Sequence, residues 1–288
     1  MLTLAVTADL HWGIRSSGDA ATRRLSEDLR REPPDILILA GDVGAGEDFP
    51  RCLEHFATIP CRKALVPGNH DIWVTEDDGR GDSWTVYRDW LPRISAAYGF
   101  HYLDGGPMIL TEHDLAIVGT MNWYDGSWAD AENWDPPDDF SERLRDMRFS
   151  RGRHNDARFV RWHLTHAQFT QLAVATLESH LRAALGEVSH AVVVTHYPAF
   201  RGLNFPGHGP ITLDRMLWQA FSGNRSFEEL LERFADRIAV VFSGHTHRAR
   251  HGKLGRIEGY NIGGDYEWKR LLRFTWPDKS VEPREFYA

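Results

Sequence analysis

Five short apolar runs in this chain each end within three residues of an acid, an asparagine or a histidine, and no other feature constrains the fold as strongly. Leu2–Ala8 runs into Asp9-Leu-His11, Ile36–Ala40 into Gly41-Asp42, and Arg62–Val66 into Gly68-Asn69-His70-Asp71. Ala191–Thr195 ends at His196, and Ile238–Ser243 at Gly244-His245-Thr246-His247. The runs are mostly rich in Val, Ile or Leu, as strands covered on both faces are. A further run, Leu115–Thr120, leads to Asn122-Trp123-Tyr124. Helical patterns lie between them. Ala20–Arg31 stops at Pro33-Pro34, a second helix is expected from Asp48 to about Thr58, and a long one from Asn155 to Leu185 with Gly186 closing it. Ser226-Phe-Glu-Glu229 reads as a capping box opening the helix before Ile238. Strands alternating with helices predict an α/β fold, whose ligands bind in the crevice beyond the strands' C-terminal ends. The five loops should therefore converge on one site.

The 288 residues suit a single large domain over 1–288, with an insertion over about 72–190 that breaks the strand–helix rhythm. Within it, Asn122–Asp146 holds eight acids against two bases, together with Trp123, Trp128 and Trp134. Met147–Arg161 reverses the sign, with five Arg against one Asp. The segment is expected to form a cap or lid over the main body. Apolar residues at 42% and charged ones at 26% exclude disorder as the main state. No stretch approaches the roughly 18 apolar residues of a membrane span. The N-terminus lacks a basic region and meets Asp9 early, so a cytoplasmic protein is expected, with Cys52 and Cys61 as reduced thiols. A net charge of −8 argues against a main task of gripping nucleic acid. It leaves room for a compact anion where a metal supplies local positive charge.

The donor types then indicate the chemistry. Asp9, His11, Asp42, Asn69, His196, His245 and His247 include no thiolate, against a structural zinc site, and too many imidazoles for Ca²⁺ or Mg²⁺ alone. Mixed nitrogen and oxygen donors suit Mn²⁺, Fe or Zn²⁺. Seven donors exceed what one ion with an open position can use. Two ions sharing a carboxylate, about 3.5–4 Å apart, use them all. Gly41, Gly68 and Gly244 each precede a candidate ligand by one residue, where a tight turn or close approach favours a residue without Cβ.

Taken in order, Asp9-x-His11, Gly41-Asp42, Gly68-Asn69-His70-Asp71, His196 and Gly244-His245-x-His247 resemble the five motifs of the calcineurin-like metallophosphoesterase superfamily. The resemblance implies a four-layer αββα sandwich of two mixed sheets. It implies that Asp9, His11 and His247 hold one ion and Asn69, His196 and His245 another, with Asp42 bridging. A hydroxide between the ions would be the nucleophile. His70 would bond the substrate phosphate and act as general acid, with Asp71 orienting its ring and raising its pKa. Asn69 is a neutral ligand, so its ion is expected to be the looser. The Ser/Thr protein phosphatases resemble Gly-Asp-x-x-x-Arg-Gly and Gly-Asn-His-Glu, whereas this chain reads Gly41-Asp-Val-Gly-Ala-Gly46 and has Asp71 in the last position. The bacterial-type branch, with phosphodiesterases, nucleotidases, lipid-precursor hydrolases and nucleases, is the closer match.

The expected activity is hydrolysis of a small phosphomonoester or phosphodiester, with a nucleotide among the candidates. A nuclease would need a basic track leading to the metals, and none is visible in the sequence. A non-catalytic scaffold of this fold would be expected to lose a ligand or the acid, and none is missing. Asn122, Trp123 and His208 are the candidate substrate contacts, Trp123 by stacking. His154, His163 and His166 are expected to be solvated or packed, and the arginines of 143–161 to pair with the acids just upstream.

Overall fold

Along β1 (Leu2–Thr7), Leu4 and Val6 point to one side and Ala5 to the other, and both sides are buried. This alternation generates the layers. The computed structural model describes residues 1–130, 134–205 and 210–288. Leu4 and Val6 join Ile36 and Ile38 of β2 (Ile36–Ala40), and Ala64 and Val66 of β3 (Arg62–Val66). They meet Ile117 of β6 (Leu115–Thr120), Val192 and Val194 of β7 (His190–Thr195), and Phe242 of β8 (Ile238–Ser243). That cluster is the sheet-on-sheet core. The opposite face of the first sheet packs Leu37 and Leu39 against Leu25 and Leu29 of α1 (Ser16–Arg31) and Phe49 and Leu53 of α2 (Asp48–Ala57). The opposite face of the second packs Val118 and Val193 against Leu177 and Leu181 of α3 (His166–Glu187) and Leu230 of α5 (Arg225–Arg233). The result is helix, sheet, sheet, helix, the expected αββα sandwich.

Both sheets are mixed and six-stranded. The first runs β12-β11-β1-β2-β3-β4 and the second β5-β6-β7-β8-β10-β9. The remaining strands are β4 (His101–Tyr102), β5 (Met108–Leu110), β9 (Arg250–Leu254), β10 (Ile257–Asn261), β11 (Lys269–Trp276) and β12 (Ser280–Phe286). β1, β2 and β3 are parallel, as are β6, β7 and β8, so the motif loops of each sheet leave at a shared end.

The structure redraws three expectations. First, β4, β5 and β6 lie inside the expected insertion of 72–190 yet are strands of the two sheets, and α3 covers one of them. Among the described residues of that span, 122–130 and 134–165 form no strand of either sheet. Second, the expected helix over 155–185 is broken. A short turn at Asp156–Phe159 is followed by extended chain, because the carbonyls of Phe159 and Arg161 accept from the Val74 and Ser83 N–H groups. Thr165 then opens α3 with a capping box to Gln168, and Gly186 lies inside the helix, not beyond it. Third, α5 is capped by Asn224, which accepts from the Phe227 N–H (2.8 Å), not by Ser226. The Asn224 amide also donates to Asn122 Oδ1 and the Trp123 carbonyl, two acceptors no hydroxyl could serve together. No described helix is long and apolar enough to cross a membrane.

Candidate metal centre and active-site cleft

Backbone geometry at the strand ends is unusual. Nine described non-glycine residues have positive φ, and Asp9 (56°), His11 (45°), Asp42 (53°), His245 (72°) and His247 (55°) are five of them. Such conformations are sparsely populated and cluster where the surrounding structure over-determines them, typically at functional sites. Here the β1–β2 pairing continues past the strands and fixes the turns: Asp9 N–H donates to the Gly41 carbonyl, and His11 N–H to that of Asp42. Gly41 has φ +88°, and a Cβ there would lie 2.4 Å from His196 Nδ1. A Cβ on Gly68 would lie 2.1 Å from Asp42 Oδ1. Both glycines are required by close approach.

Asp9, His11, Asp42 and His247 present ligand atoms that all lie within 4.8 Å of one another. His11 Nε2 and His247 Nε2 face each other at 2.9 Å, and Asp42 Oδ2 is 3.5 Å from the former. Two imidazole nitrogens so placed can share only one proton, and the buried His11 Nδ1 has no partner among the described residues. The surplus of lone pairs fits a cation. Across Asp42, His196 Nε2 lies 3.3 Å from Asp42 Oδ2 and 3.2 Å from Asn69 Oδ1, and the His245 ring is 5.2 Å from that of His196. The Ala40 carbonyl, 3.0 Å from His196 Nδ1, orients that ring so that Nε2 faces the site. All seven candidate ligands are thus brought together.

Charge among these donors is shared out accordingly. Burial pushes the Asp9 carboxyl up, against the pull of His247 and His196. Burial pushes Asp42 the same way, but His196, His70 and His11 outweigh it and hold it well below the usual carboxylate range. Burial lowers His196, yet Asp42 wins and raises it to about 9. A proton on His196 therefore stands where a cation would neutralise Asp42.

His70 and Asp71 are arranged differently from expectation. The Asp71 carboxylate accepts from the N–H groups of Gly44 (2.9 Å) and Gly68 (2.7 Å), bracing two motif loops, and does not orient His70. Burial, with the charge of Asp42, raises it to about 7. The His70 ring stacks on Trp73, with centroids 3.6 Å apart, and its Nε2 is 3.9 Å from Asp42 Oδ2. Burial lowers its pKa despite Asp42 and Asp156.

Asn122 and Trp123 do not reach the cleft. Both are fully buried: the Asn122 amide donates to the Pro198 carbonyl, and the Trp123 indole to His166 Nδ1. They join the second sheet's loops to α3 and α5 from behind. His208 lies outside the described residues.

Asp156 is the functional residue that sequence reasoning missed. It is 1% exposed, and four donors from three separate segments converge on it. Asn69 Nδ2 (2.9 Å) and Trp73 Nε1 (2.8 Å) bond Oδ1; the hydroxyls of Tyr124 and Tyr197, each at 3.0 Å, bond Oδ2. By accepting from Asn69 Nδ2, Asp156 turns Asn69 Oδ1 towards His196. By holding Trp73, it fixes the ring on which His70 stacks. In the sequence it was the lone acid among arginines.

A cleft of about 440 Å³ opens above this centre, with Asp42, Asn69, His70 and His247 among its lining residues. That volume lies within the range of small-molecule sites. Trp73, His154 and Tyr266 also line it, and the Tyr266 ring sits 4.5 Å from that of His11.

A family model described as calcineurin-like phosphoesterase matches residues 2–249. None of the curated proteins matches the chain. Among solved structures, the chain is similar to phosphopantetheinyl hydrolase from Mycobacterium tuberculosis, at 20% identity over 92% of this chain and 90% of that one, with a TM-score of 0.70. It is also similar to a dimetal phosphatase from Danio rerio, at 14% identity over 99% and 98% of the two chains, with a TM-score of 0.54. At these identities the likeness is one of fold.

Proposed function

The chain belongs to the calcineurin-like phosphoesterases, metal-dependent phosphoric ester hydrolases, and from that premise we propose that it hydrolyses a small phosphomonoester or phosphodiester at a two-ion centre bridged by Asp42. The observation that carries the reading is the convergence of Asp9, His11, Asp42 and His247 in positive-φ turns beneath the cleft. In this reading Asp9, His11 and His247 hold one ion, and Asn69, His196 and His245 the other. Mn²⁺, Fe and Zn²⁺ all suit these donors. When bound, such a pair activates a water and draws charge from the phosphoryl oxygens.

The protein's own groups do the rest. Asp42, buried and held in its charged form by three imidazoles, keeps its carboxylate available between the two donor sets. His70 lines the cleft with its ring stacked on Trp73 and Nε2 3.9 Å from Asp42 Oδ2, and in this reading it gives a proton to the leaving oxygen. Asp71 keeps the Gly44 and Gly68 loops in register beneath it.

The test is hydrolysis of p-nitrophenyl phosphate and bis-p-nitrophenyl phosphate by metal-stripped protein reloaded with Mn²⁺, with His70→Asn alongside. The reading predicts metal-dependent turnover that falls about 10²–10⁴-fold in the variant. The preferred ester identifies a monoesterase or a diesterase. Turnover indifferent to chelation would overturn the metal-dependent reading, and full activity in His70→Asn would remove the acid role.

A further inference from the structure

The arginines of 143–153 divide into two groups. Arg143 pairs with Asp139 (2.6 Å), Arg145 with Asp146 (3.2 Å) and Arg148 with Glu142 (3.1 Å), which accounts for the acids just upstream. Arg151 and Arg153 have no carboxylate partner among the described residues, and both line the cleft above the metal centre. Among the described lining residues Asp42, within the metal centre, is the one carboxylate. Arg153 Nε donates to the neutral Asp146 carbonyl (3.0 Å), so in a chain of net charge −8 two guanidiniums without a carboxylate partner line the same cleft, and they call for an anion.

Their presentation is ordered. His154 N–H donates to the Met147 carbonyl (2.9 Å) and Phe149 N–H to that of Gly152 (3.1 Å), closing a small hairpin with Arg151 at its turn. Ser150 N–H donates to Asp214 Oδ1 (2.7 Å), which ties this turn to the helix Leu213–Ala220, α4. On the same wall, Trp218 of α4 packs on Phe149 with ring centroids 4.7 Å apart, yet remains 45% exposed. An indole left this open beside a cleft is a platform for a flat ring.

Resting on the hydrolase reading above, we propose that Arg151 and Arg153 form a subsite for the leaving-group side of the substrate. The substrate class is a phosphoester whose leaving group carries a flat ring, to lie on Trp218, and a second phosphate, to meet the two guanidiniums. The reacting phosphate belongs at the strand-end loops; the second belongs to the 147–154 hairpin. Arginine suits this role because its planar fork bonds phosphate oxygens in pairs.

The experiment compares adenosine 5′-monophosphate with adenosine 3′,5′-bisphosphate on the Mn²⁺-loaded protein. Both are read by calorimetry and as competitors of p-nitrophenyl phosphate hydrolysis. The bisphosphate should bind at least about tenfold more tightly, and Arg151→Ala/Arg153→Ala should collapse that ratio towards one. Arg145→Ala, which breaks a pair outside the cleft, should preserve it. Equal affinity in the native protein, or a ratio that survives the double variant, overturns the subsite. The two readings fail separately. Turnover without the affinity ratio removes the subsite alone. A ratio that collapses in the double variant, in a protein that turns over nothing, removes the hydrolase reading and keeps the subsite. Both arginines are exposed, so their truncation should leave the fold intact.

Discussion

The strand-end loops and the 147–165 wall meet at one cleft but are specified in different ways. The loops are fixed by backbone: parallel strands deliver them, Gly41 and Gly68 permit the close approach, and positive φ at Asp9, His11 and Asp42 aims the side chains. The wall, besides its own hairpin bonds and those to Val74 and Ser83, depends on side chains, chiefly one buried carboxylate that gathers Asn69, Trp73, Tyr124 and Tyr197. The first kind of construction leaves a short motif in the sequence. The second leaves a single residue whose partners are up to 87 positions away.

The loops should therefore fail abruptly and the wall gradually. Asp42→Asn removes the charge shared by both donor sets. The expected loss of turnover is more than about 10³-fold, beyond the 10–100-fold typical of residues that only support ligands. Metal content by elemental analysis should fall below two ions per chain. Asp156→Asn belongs to the supporting class. The amide nitrogen can face the Tyr124 and Tyr197 hydroxyls, which can accept from it, but the neutral oxygen left for Asn69 and Trp73 holds them more weakly than a carboxylate does. Metal affinity at the Asn69 side and turnover should each drop about 10–100-fold. Quenching of Trp73 fluorescence by His70 should change as well, which a merely loosened core would not predict. If Asp156→Asn proves as damaging as Asp42→Asn, the distinction between the two constructions collapses.

Protonation sharpens the contrast. His196 is raised from 6.5 to about 9, against burial, by Asp42. Its contribution to the metal-free protein is thus complete below about pH 6.5 and is lost as pH rises through 9. The melting temperature in chelator should fall across that window. Mn²⁺ must displace this proton, so its affinity should rise with pH, by up to about tenfold per unit. A flat melting profile between pH 6.5 and 9.5 would contradict the pairing.

The smallest effect is expected away from the cleft, at Asp104, whose Oδ1 accepts from Tyr87, Thr120 and the Met121 N–H while Oδ2 has no partner among the described residues. Burial raises it to about 6 from 3.8. Its charged form opposes folding, so stability falls as pH rises from about 3.8 through 6. Asp104→Asn should raise the melting temperature by a few degrees at pH 8 and leave it unchanged at pH 4.

The division also explains what the sequence could reveal. The six apolar runs were legible because strands buried on both faces need unbroken apolar residues. β9 and β12 were not, since edge strands with alternately exposed residues carry no such run. The insertion appeared too wide because β4 and β5 are only two and three residues long. The seven candidate ligands were legible from motif order, whereas the partners of Asp71 are backbone groups that no motif encodes. Trp123 looked available for stacking, but its distance from the cleft is set by His166, 43 positions away.

The central claim is that the strand-end loops hold two metal ions through a shared Asp42. Calorimetric titration of the metal-stripped protein with Mn²⁺, repeated on Asp42→Asn, tests it most directly. The account predicts two ions per native chain, the weaker on the Asn69 side, and loss of both high-affinity events in the variant. No binding to the native chain, or two ions bound equally well without the Asp42 carboxylate, would contradict it.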